Sequence, residues 1–352
     1  IVEMYAVGMS GIFFDYKPWE KLAFKILTEE LPRQNYADGV NKEMSLHYQS
    51  FVMEAYGLLM IEMKHNHIKI PQIWEEYLMH MSEFMCDCCG EYGETVVFGD
   101  NDEGKILDLS GEHFDHYRYV LDLMGNVLSK RYSKMENIHE NLCWILSDDF
   151  QNSVLQKNCY YSPEVKCYKE GGYTLWRSKN NKVLIGIDHA DLGFGSLAAH
   201  GHADALSFQM FIEGVPVFVD PGTYNYHVPK KIRDEFRATK NHNTVCVNDQ
   251  NQAEILGPFL WGKRYKINNV EFDNECEKKC IMTAELQNSS YVHRRKFVYN
   301  KANQLIIEDV VQGGQDIHLA LICNFKAKIE VNQNVVIVRI GDKVVKINFD
   351  EA

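Results

Sequence analysis

The sequence predicts a protein of two domains, in which α-helices come first and β-strands follow. Residues 1–152 carry apolar side chains at helical spacing, whereas residues 153–352 carry short runs of β-branched and aromatic residues between turn residues. Helices and strands that are segregated along a chain indicate separate domains rather than an alternating α/β fold. A chain of 352 residues is long enough for two domains of this kind.

Amphipathic stripes predict the helices of the first domain. The clearest stripe follows Pro71, a residue typical of a first helical turn, and consists of Trp74, Tyr77, Leu78, Met81, Phe84 and Met85. A second stripe consists of Phe51, Ala55, Leu58 and Leu59, and a third spans residues 117–128. Large aromatic and methionine stripes of this kind are typical of helix–helix cores rather than of ligand-binding surfaces.

Eight short apolar runs predict strands in the second domain. They span residues 173–178, 183–188, 206–212, 215–219, 244–247, 295–299, 305–311 and 335–340. Turn signals such as Glu213-Gly214 and Gly341-Asp342 separate them. The pattern is that of an all-β domain, and no internal repeat accompanies it.

Composition excludes some classes of function. The net charge of −12 disfavours a general nucleic-acid binder, and the apolar runs are too short for a membrane-spanning helix. A local basic excess lies between Val228 and Lys240, formed by Lys230, Lys231, Arg233, Arg237 and Lys240. This stretch suits either an anionic ligand or a solvated loop.

The ten cysteines match neither a small disulfide-bonded framework nor a zinc finger. Cys246 falls in a predicted strand, and Cys276 and Cys280 fall in a charged stretch predicted to be a turn. We expect most of the cysteines to be reduced and buried as small apolar side chains.

Histidines and a carboxylate are concentrated between Ala199 and Val247. His200 and His202 are two residues apart, so on a strand they would point to the same face. Together with Asp220 and His242 they supply the nitrogen and oxygen donors that zinc binds. Spacing alone also permits scattered core or surface residues, with Asp220 capping the turn at Pro221-Gly222.

Two strings in this region resemble the signature of the heparinase II/III family of polysaccharide lyases. They are HGHADALSFQMFIEGVPVFVDPGTYNY from His200 and FRATKNHNTV from Phe236. In the helical region, DGVNKEMSLHYQSF at 38–51 is similar to the family's Asp-Gly…Glu-x-Ser-x-x-Tyr stretch. The resemblance implies an incomplete α/α toroid joined to an antiparallel β-sandwich, with the substrate cleft between them. It further implies a truncated chain and a periplasmic or extracellular location.

The resemblance implies cleavage of uronate-containing glycans by β-elimination. Such a reaction needs a group that neutralises the uronate carboxylate, a base at C5 and an acid at O4. His47 occupies the position that contacts the uronate, and His200 occupies that of the catalytic histidine. Tyr92 is the nearest tyrosine upstream of Phe-Gly-Asp-Asn-Asp at 98–102 and is the predicted catalytic tyrosine, with Tyr224 and Tyr226 as alternatives.

The resemblance also implies one structural zinc ion per chain, with the ligands His202, Asp220 and His242. We expect Arg237 to meet a substrate carboxylate or sulfate through a bidentate contact, and Asp100 and Asp102 to contact sugar hydroxyls. The expected partner is an acidic polysaccharide, with no nucleic acid and no membrane span. Two alternatives stay open at this point, a zinc-dependent glycan hydrolase and a glycan-binding protein that has lost catalysis.

Overall fold

The chain divides into two compact units in the computed structural model. Unit 1 comprises Ile1–Asp87 and Asp100–Ser162, and unit 2 comprises Cys88–Gly99 and Pro163–Ala352. The structure describes residues 1–109, 114–132, 139–146, 157–274, 279–300 and 303–350. The predicted domain boundary at 152/153 lies outside the described residues. The segment Cys88–Gly99, predicted to be part of the helical domain, belongs to unit 2.

Unit 1 is built from helices. Their bounds are α1 Val2–Phe13, α2 Lys17–Gln34, α3 Leu46–His65, α4 Gln72–Cys88, α5 His116–Leu128 and the short α6 Glu140–Cys143. The three predicted stripes lie in α4, α3 and α5. Within the described part of the chain, no helix has the length and apolar character needed to cross a membrane.

Helix α3 forms the core of unit 1. Its N-cap is Ser45, whose hydroxyl accepts a hydrogen bond from the Tyr48 backbone N–H at 3.1 Å. Fifteen of its 20 residues are buried, so the helix is surrounded by other elements rather than lying on a surface. The buried residues include His47 and Glu54, whose polar atoms require partners inside the protein.

A five-stranded antiparallel sheet opens unit 2, with its strands in sequence order. They are β1 Val165–Tyr168, β2 Tyr173–Arg177, β3 Val183–Asp188, β4 Phe208–Ile212 and β5 Val215–Phe218. Every residue of β2 and β3 is buried, which explains why these runs are apolar on both faces. Four of the predicted strands correspond to β2, β3, β4 and β5.

A four-stranded antiparallel sheet in the order β12-β11-β10-β9 follows. Its strands are β9 Lys266–Asp273, β10 Lys279–Gln287, β11 Val292–Asn300 and β12 Gln304–Gln312. The smaller sheets pair β6 Val245–Val247 with β13 Ile317–Leu319, β7 Ile255–Gly257 with β8 Leu260–Trp261, and β15 Val335–Ile340 with β14 Lys328–Asn332 and β16 Lys343–Asn348.

The two large sheets share one hydrophobic core. The ring of Trp176 in β2 stacks on that of Tyr299 in β11, with centroids 5.6 Å apart. Phe208 in β4 meets Phe297 in β11 with ring centroids 6.2 Å apart. Phe208 is the first residue of β4, so the second contact lies where the histidine-rich loop rejoins the sheet.

Nine cysteines lie in the described residues; all nine are free, and five of them are buried. Cys280 is fully buried in β10, so its predicted placement in a turn is wrong. The run around it alternates inward and outward side chains, and pairing with β9 and β11 extends it as a strand. Cys276 lies outside the described residues.

Candidate functional site

Four side chains of unit 2 converge on one point. They belong to His202, Asp204, Asp220 and His242, and one donor atom from each lies within 4.8 Å of the donor atoms of the other three. Both histidines and Asp204 are buried, and Asp220 is half-buried. The three predicted ligands thus come together, and Asp204 joins them. Asp204 follows His202 by two residues, the same spacing as between His200 and His202.

The cluster is built from loops. His202 and Asp204 lie in the connection between β3 and β4, Asp220 follows β5, and His242 follows a 3₁₀ turn at Thr239–Asn241. The expectation that His200 and His202 share one face of a strand is therefore wrong. Backbone groups here bond to other loops instead of a neighbouring strand, as in the 3.1 Å hydrogen bond from Ala203 N–H to the Arg237 carbonyl.

Two contacts orient the donors. Nδ1 of His242 lies 2.9 Å from the Ala238 carbonyl oxygen, which can only accept, so in a neutral ring Nδ1 carries the proton and Nε2 is the metal-binding atom. That Nε2 lies 3.4 Å from Oδ2 of Asp220. The other oxygen of Asp220 accepts a 2.7 Å hydrogen bond from Gly222 N–H. Asp220 therefore caps the predicted turn and also faces His242.

The electrostatics of the cluster favour a cation. Burial raises the pKa of Asp204, and the charge of Asp220 adds to that effect, while His242 and His202 oppose it. Burial also raises the pKa of Asp188, at the end of β3, well above its ordinary value, and repulsion from Asp204 acts in the same direction. A divalent cation among these donors would offset the repulsion. The donor types, imidazole nitrogen and carboxylate oxygen, fit zinc.

His200 lies beside this cluster in an aromatic group. Its ring is 6.0 Å from that of Phe259, which in turn is 4.9 Å from the ring of Tyr226. The guanidinium of Arg233 lies 5.1 Å from the Tyr226 ring centroid. His200, Phe259, Tyr226 and Arg233 therefore form one aromatic and basic group.

Tyr92 lies at the other end of the five-stranded sheet. The turn between β4 and β5 approaches it so closely that a Cβ on Gly214 would lie 2.7 Å from the Tyr92 Cβ. The loop that carries His200 leaves from the opposite end of β4, a separation of about 13 Å for a five-residue strand. This placement does not favour the predicted position of Tyr92 near His200, which stays a prediction. Tyr92 and His200 both belong to unit 2, because Cys88–Gly99 is part of it.

In unit 1, His47, Tyr48 and Asp102 form one group. Nε2 of His47 lies 3.2 Å from Oδ1 of Asp102, and the Tyr48 hydroxyl donates a 2.9 Å hydrogen bond to Oδ2. Burial lowers the pKa of His47, while the Asp102 charge acts in the opposite direction. Asp102 is partly exposed, so its predicted sugar contact stays a prediction. Asp100 is fully buried, and its carbonyl accepts a hydrogen bond from the Ser45 hydroxyl, which does not favour a sugar contact.

Arg237 is fully buried. Its Nη2 donates to Oδ1 of Asp234 and to the Gly257 carbonyl, both at 3.0 Å, and the guanidinium lies 5.0 Å from the Trp261 ring. This geometry supports a role in holding loops together rather than the predicted contact with a carboxylate or sulfate. The basic stretch around it includes a short helix, α7 Lys230–Phe236, in which Asp234 and Glu235 partly neutralise the excess charge.

Comparison with known proteins adds independent information. Residues 162–348 match the family described as Heparinase II/III-like, C-terminal, and residues 1–105 match the Heparinase II/III N-terminus. A curated relative, the heparin-sulfate lyase of Bacteroides thetaiotaomicron, is 23% identical over 274 residues, which is 75% of this chain and 38% of that protein.

Solved structures resemble the chain over nearly its whole length. A heparan sulfate lyase of Pedobacter heparinus superimposes with a TM-score of 0.71 at 17% identity, covering 97% of this chain and 50% of that one. A structure of Heparinase III gives a TM-score of 0.70 at 19% identity, covering 96% of this chain and 51% of that one. The chain thus spans about half the length of these proteins. Because one family description covers more than half of the sequence, and a second covers its beginning, the chain belongs to the heparinase II/III family.

Proposed function

We propose that the chain is part of a polysaccharide lyase that cleaves uronate-containing glycosaminoglycans by β-elimination. The observation that carries the proposal is the position of His200, two residues from a buried histidine–aspartate cluster. The curated relative is named a heparin-sulfate lyase, which favours a sulfated uronate glycan over an unsulfated exopolysaccharide. For the fold we infer an incomplete α/α toroid in unit 1 and a β-sandwich in unit 2, with domains close to 1–152 and 153–352.

We propose that His202, Asp220 and His242 hold one zinc ion. The ion would supply positive charge that offsets carboxylate repulsion and fixes three loops, a structural role. The Nδ1 contact of His242 supports this assignment because it leaves Nε2 available. Asp204 provides a further carboxylate at the same point, either as a fourth ligand or as a partner of the ligating histidines.

The reaction requires three tasks of this chain's own residues. When protonated, His47 would neutralise the uronate carboxylate and so acidify the C5 proton; burial opposes that state and the Asp102 charge favours it. His200 would transfer a proton at the cleaved bond. For the tyrosine we propose Tyr226, because it shares an aromatic group with His200 and lies beside the Arg233 cation.

The test incubates the chain with heparan sulfate and with uronate glycans that lack sulfate. A lyase produces an unsaturated uronate that absorbs ultraviolet light, and His200→Ala should abolish that absorbance. New reducing ends without the chromophore would favour the hydrolase instead. Retention of the glycan with neither product would favour the binding protein.

A further inference from the structure

Arg295 is a fully buried arginine that the proposed reaction does not use. It lies in β11, where its Nε and Nη2 donate to the two carboxylate oxygens of Asp309 at 2.7 and 2.9 Å. Its Nη1 donates to the carbonyl oxygens of Leu206 and Asn243, both at 2.8 Å. The planar guanidinium therefore fixes three groups in one rigid arrangement.

Both carbonyls belong to loops that carry proposed metal ligands. Leu206 lies two residues after Asp204, and Asn243 directly follows His242. Leu206 has a φ of 62°, a left-handed conformation that is unfavourable for a leucine. Its carbonyl is therefore held in place by surrounding contacts, of which the Arg295 hydrogen bond is one.

Asn243 extends the connection to the third loop. Its side-chain amide donates to the Phe208 carbonyl at 2.8 Å and to the Val219 carbonyl at 3.0 Å. Val219 directly precedes Asp220. Arg295 and Asn243 thus connect, through backbone carbonyls, the loops of His202, Asp220 and His242.

Stability alone does not account for a charged pair at this place. Burying the Arg295 guanidinium costs hydration, and replacing buried charges by packed apolar side chains is often neutral or stabilising, while Asp309 keeps 22% of its side-chain surface exposed. Phe297 lies two residues along β11 and is fully buried, so the strand accommodates an apolar side chain in the same core. His293 adds a third partner, with its Nε2 2.7 Å from Oδ1 of Asp309. This arrangement fixes the orientation of the Arg295 guanidinium, and the loss of hydration of that charge is its energetic cost.

We propose that Arg295, oriented by Asp309, is a positioning residue that holds the His202–Asp204 loop and the His242 loop at the separation a metal ion requires. The inference rests on the proposed metal centre and deepens it. Arg295 acts on the ligands only through the carbonyls of Leu206 and Asn243. Its removal should therefore change metal affinity and coordination geometry beyond any general loss of stability.

The test measures zinc affinity of the full chain by competition with a chromophoric chelator. Arg295→Met keeps much of the side-chain volume but removes every donor, and zinc affinity should fall by roughly 10- to 100-fold, the usual effect of losing a residue that orients metal ligands. The absorption spectrum of the cobalt(II)-substituted protein should change as well, because it reports ligand geometry. Phe297→Leu is the matched control, since it alters the same core, including the ring 5.7 Å from the guanidinium, but keeps every hydrogen bond that Arg295 donates.

Each outcome separates the possibilities. Wild-type affinity and an unchanged cobalt spectrum in Arg295→Met would overturn the inference while leaving the metal centre intact. An equal loss in Phe297→Leu would also overturn it, because the effect would then be general destabilisation. If Arg295→Met does not fold, Asp309→Asn tests the same arrangement and should weaken zinc binding severalfold. A wild-type chain that binds neither zinc nor cobalt would refute the proposed metal centre, and this inference with it.

Discussion

Nε2 of His47 lies 3.2 Å from Oδ1 of Asp102, so a buried imidazole faces a partly exposed carboxylate. Burial lowers the pKa of His47, and the negative charge of Asp102 raises it against that effect. Asp102→Asn removes the charge and should lower the pKa of His47 further. NMR titration of the His47 ring checks the direction, and an unchanged or higher value would refute the electrostatic coupling.

The same substitution has a consequence for activity under the proposed mechanism. If a protonated His47 neutralises the uronate, the alkaline limb of the pH–rate profile should move to lower pH in Asp102→Asn. Tyr48→Phe removes the other hydrogen bond to Asp102 and keeps its charge, so it serves as the control with a smaller shift.

His116 should make the chain sensitive to acid. Burial lowers its pKa from 6.5 to about 3, and nearby His47, Lys105 and His139 add to the effect. Between these pH values the unfolded chain binds a proton that the folded chain does not, so stability falls as the pH drops below 6.5. At pH 5 this amounts to about 2 kcal/mol relative to pH 7.5, at roughly 1.4 kcal/mol per pH unit.

Urea unfolding of the wild type and of His116→Gln at both pH values measures this contribution. The variant should lose about 2 kcal/mol less than the wild type on acidification, whatever its stability at neutral pH. Equal losses in the two proteins would mean that His116 is not held neutral in the folded state.

The sequence predicts correctly those helices and strands whose local residue pattern agrees with the secondary structure they form. The apolar stripe from Trp74 to Met85 lies within α4, and the alternating run of β15 has the predicted bounds. Strand β10 was missed because KCIMTAELQ contains Met, Ala, Glu and Leu, which favour a helix in isolation. Pairing with β9 and β11 overrides that preference.

The candidate site was predictable in its residue types but not in its geometry. The strings around His202, Asp220 and His242 indicated a cluster, and the structure brings these side chains together. Sequence alone could not show that Cys88–Gly99, which includes Tyr92, joins unit 2 and meets the turn between β4 and β5. The buried contacts of Arg237 depend on Gly257 and Trp261, and such distant neighbours leave no local pattern.

Removal of one metal ligand should make the unfolding temperature independent of zinc. Zinc at 100 times its dissociation constant would stabilise the wild type by about 2.7 kcal/mol, so a chelator should lower its unfolding temperature. His242→Ala should unfold at a lower temperature that the chelator does not change, and its zinc content should fall well below one ion per chain. His318→Ala is the matched control, because that histidine is 57% exposed. A chelator effect that persists undiminished in His242→Ala would contradict the ligand assignment.

The last prediction concerns the tyrosine. Tyr226→Phe keeps the ring contacts with Phe259 and Arg233 but removes the hydroxyl, so it should lower kcat by roughly 100-fold or more, the scale of general acid–base catalysis. KM should change much less, because the hydroxyl acts mainly in the transition state. Tyr92→Phe should leave both constants near wild type, since Tyr92 lies at the other end of the sheet. Chromophore release on a uronate glycan measures both variants. Full turnover in Tyr226→Phe would contradict its assignment, and Tyr224→Phe then tests the remaining alternative.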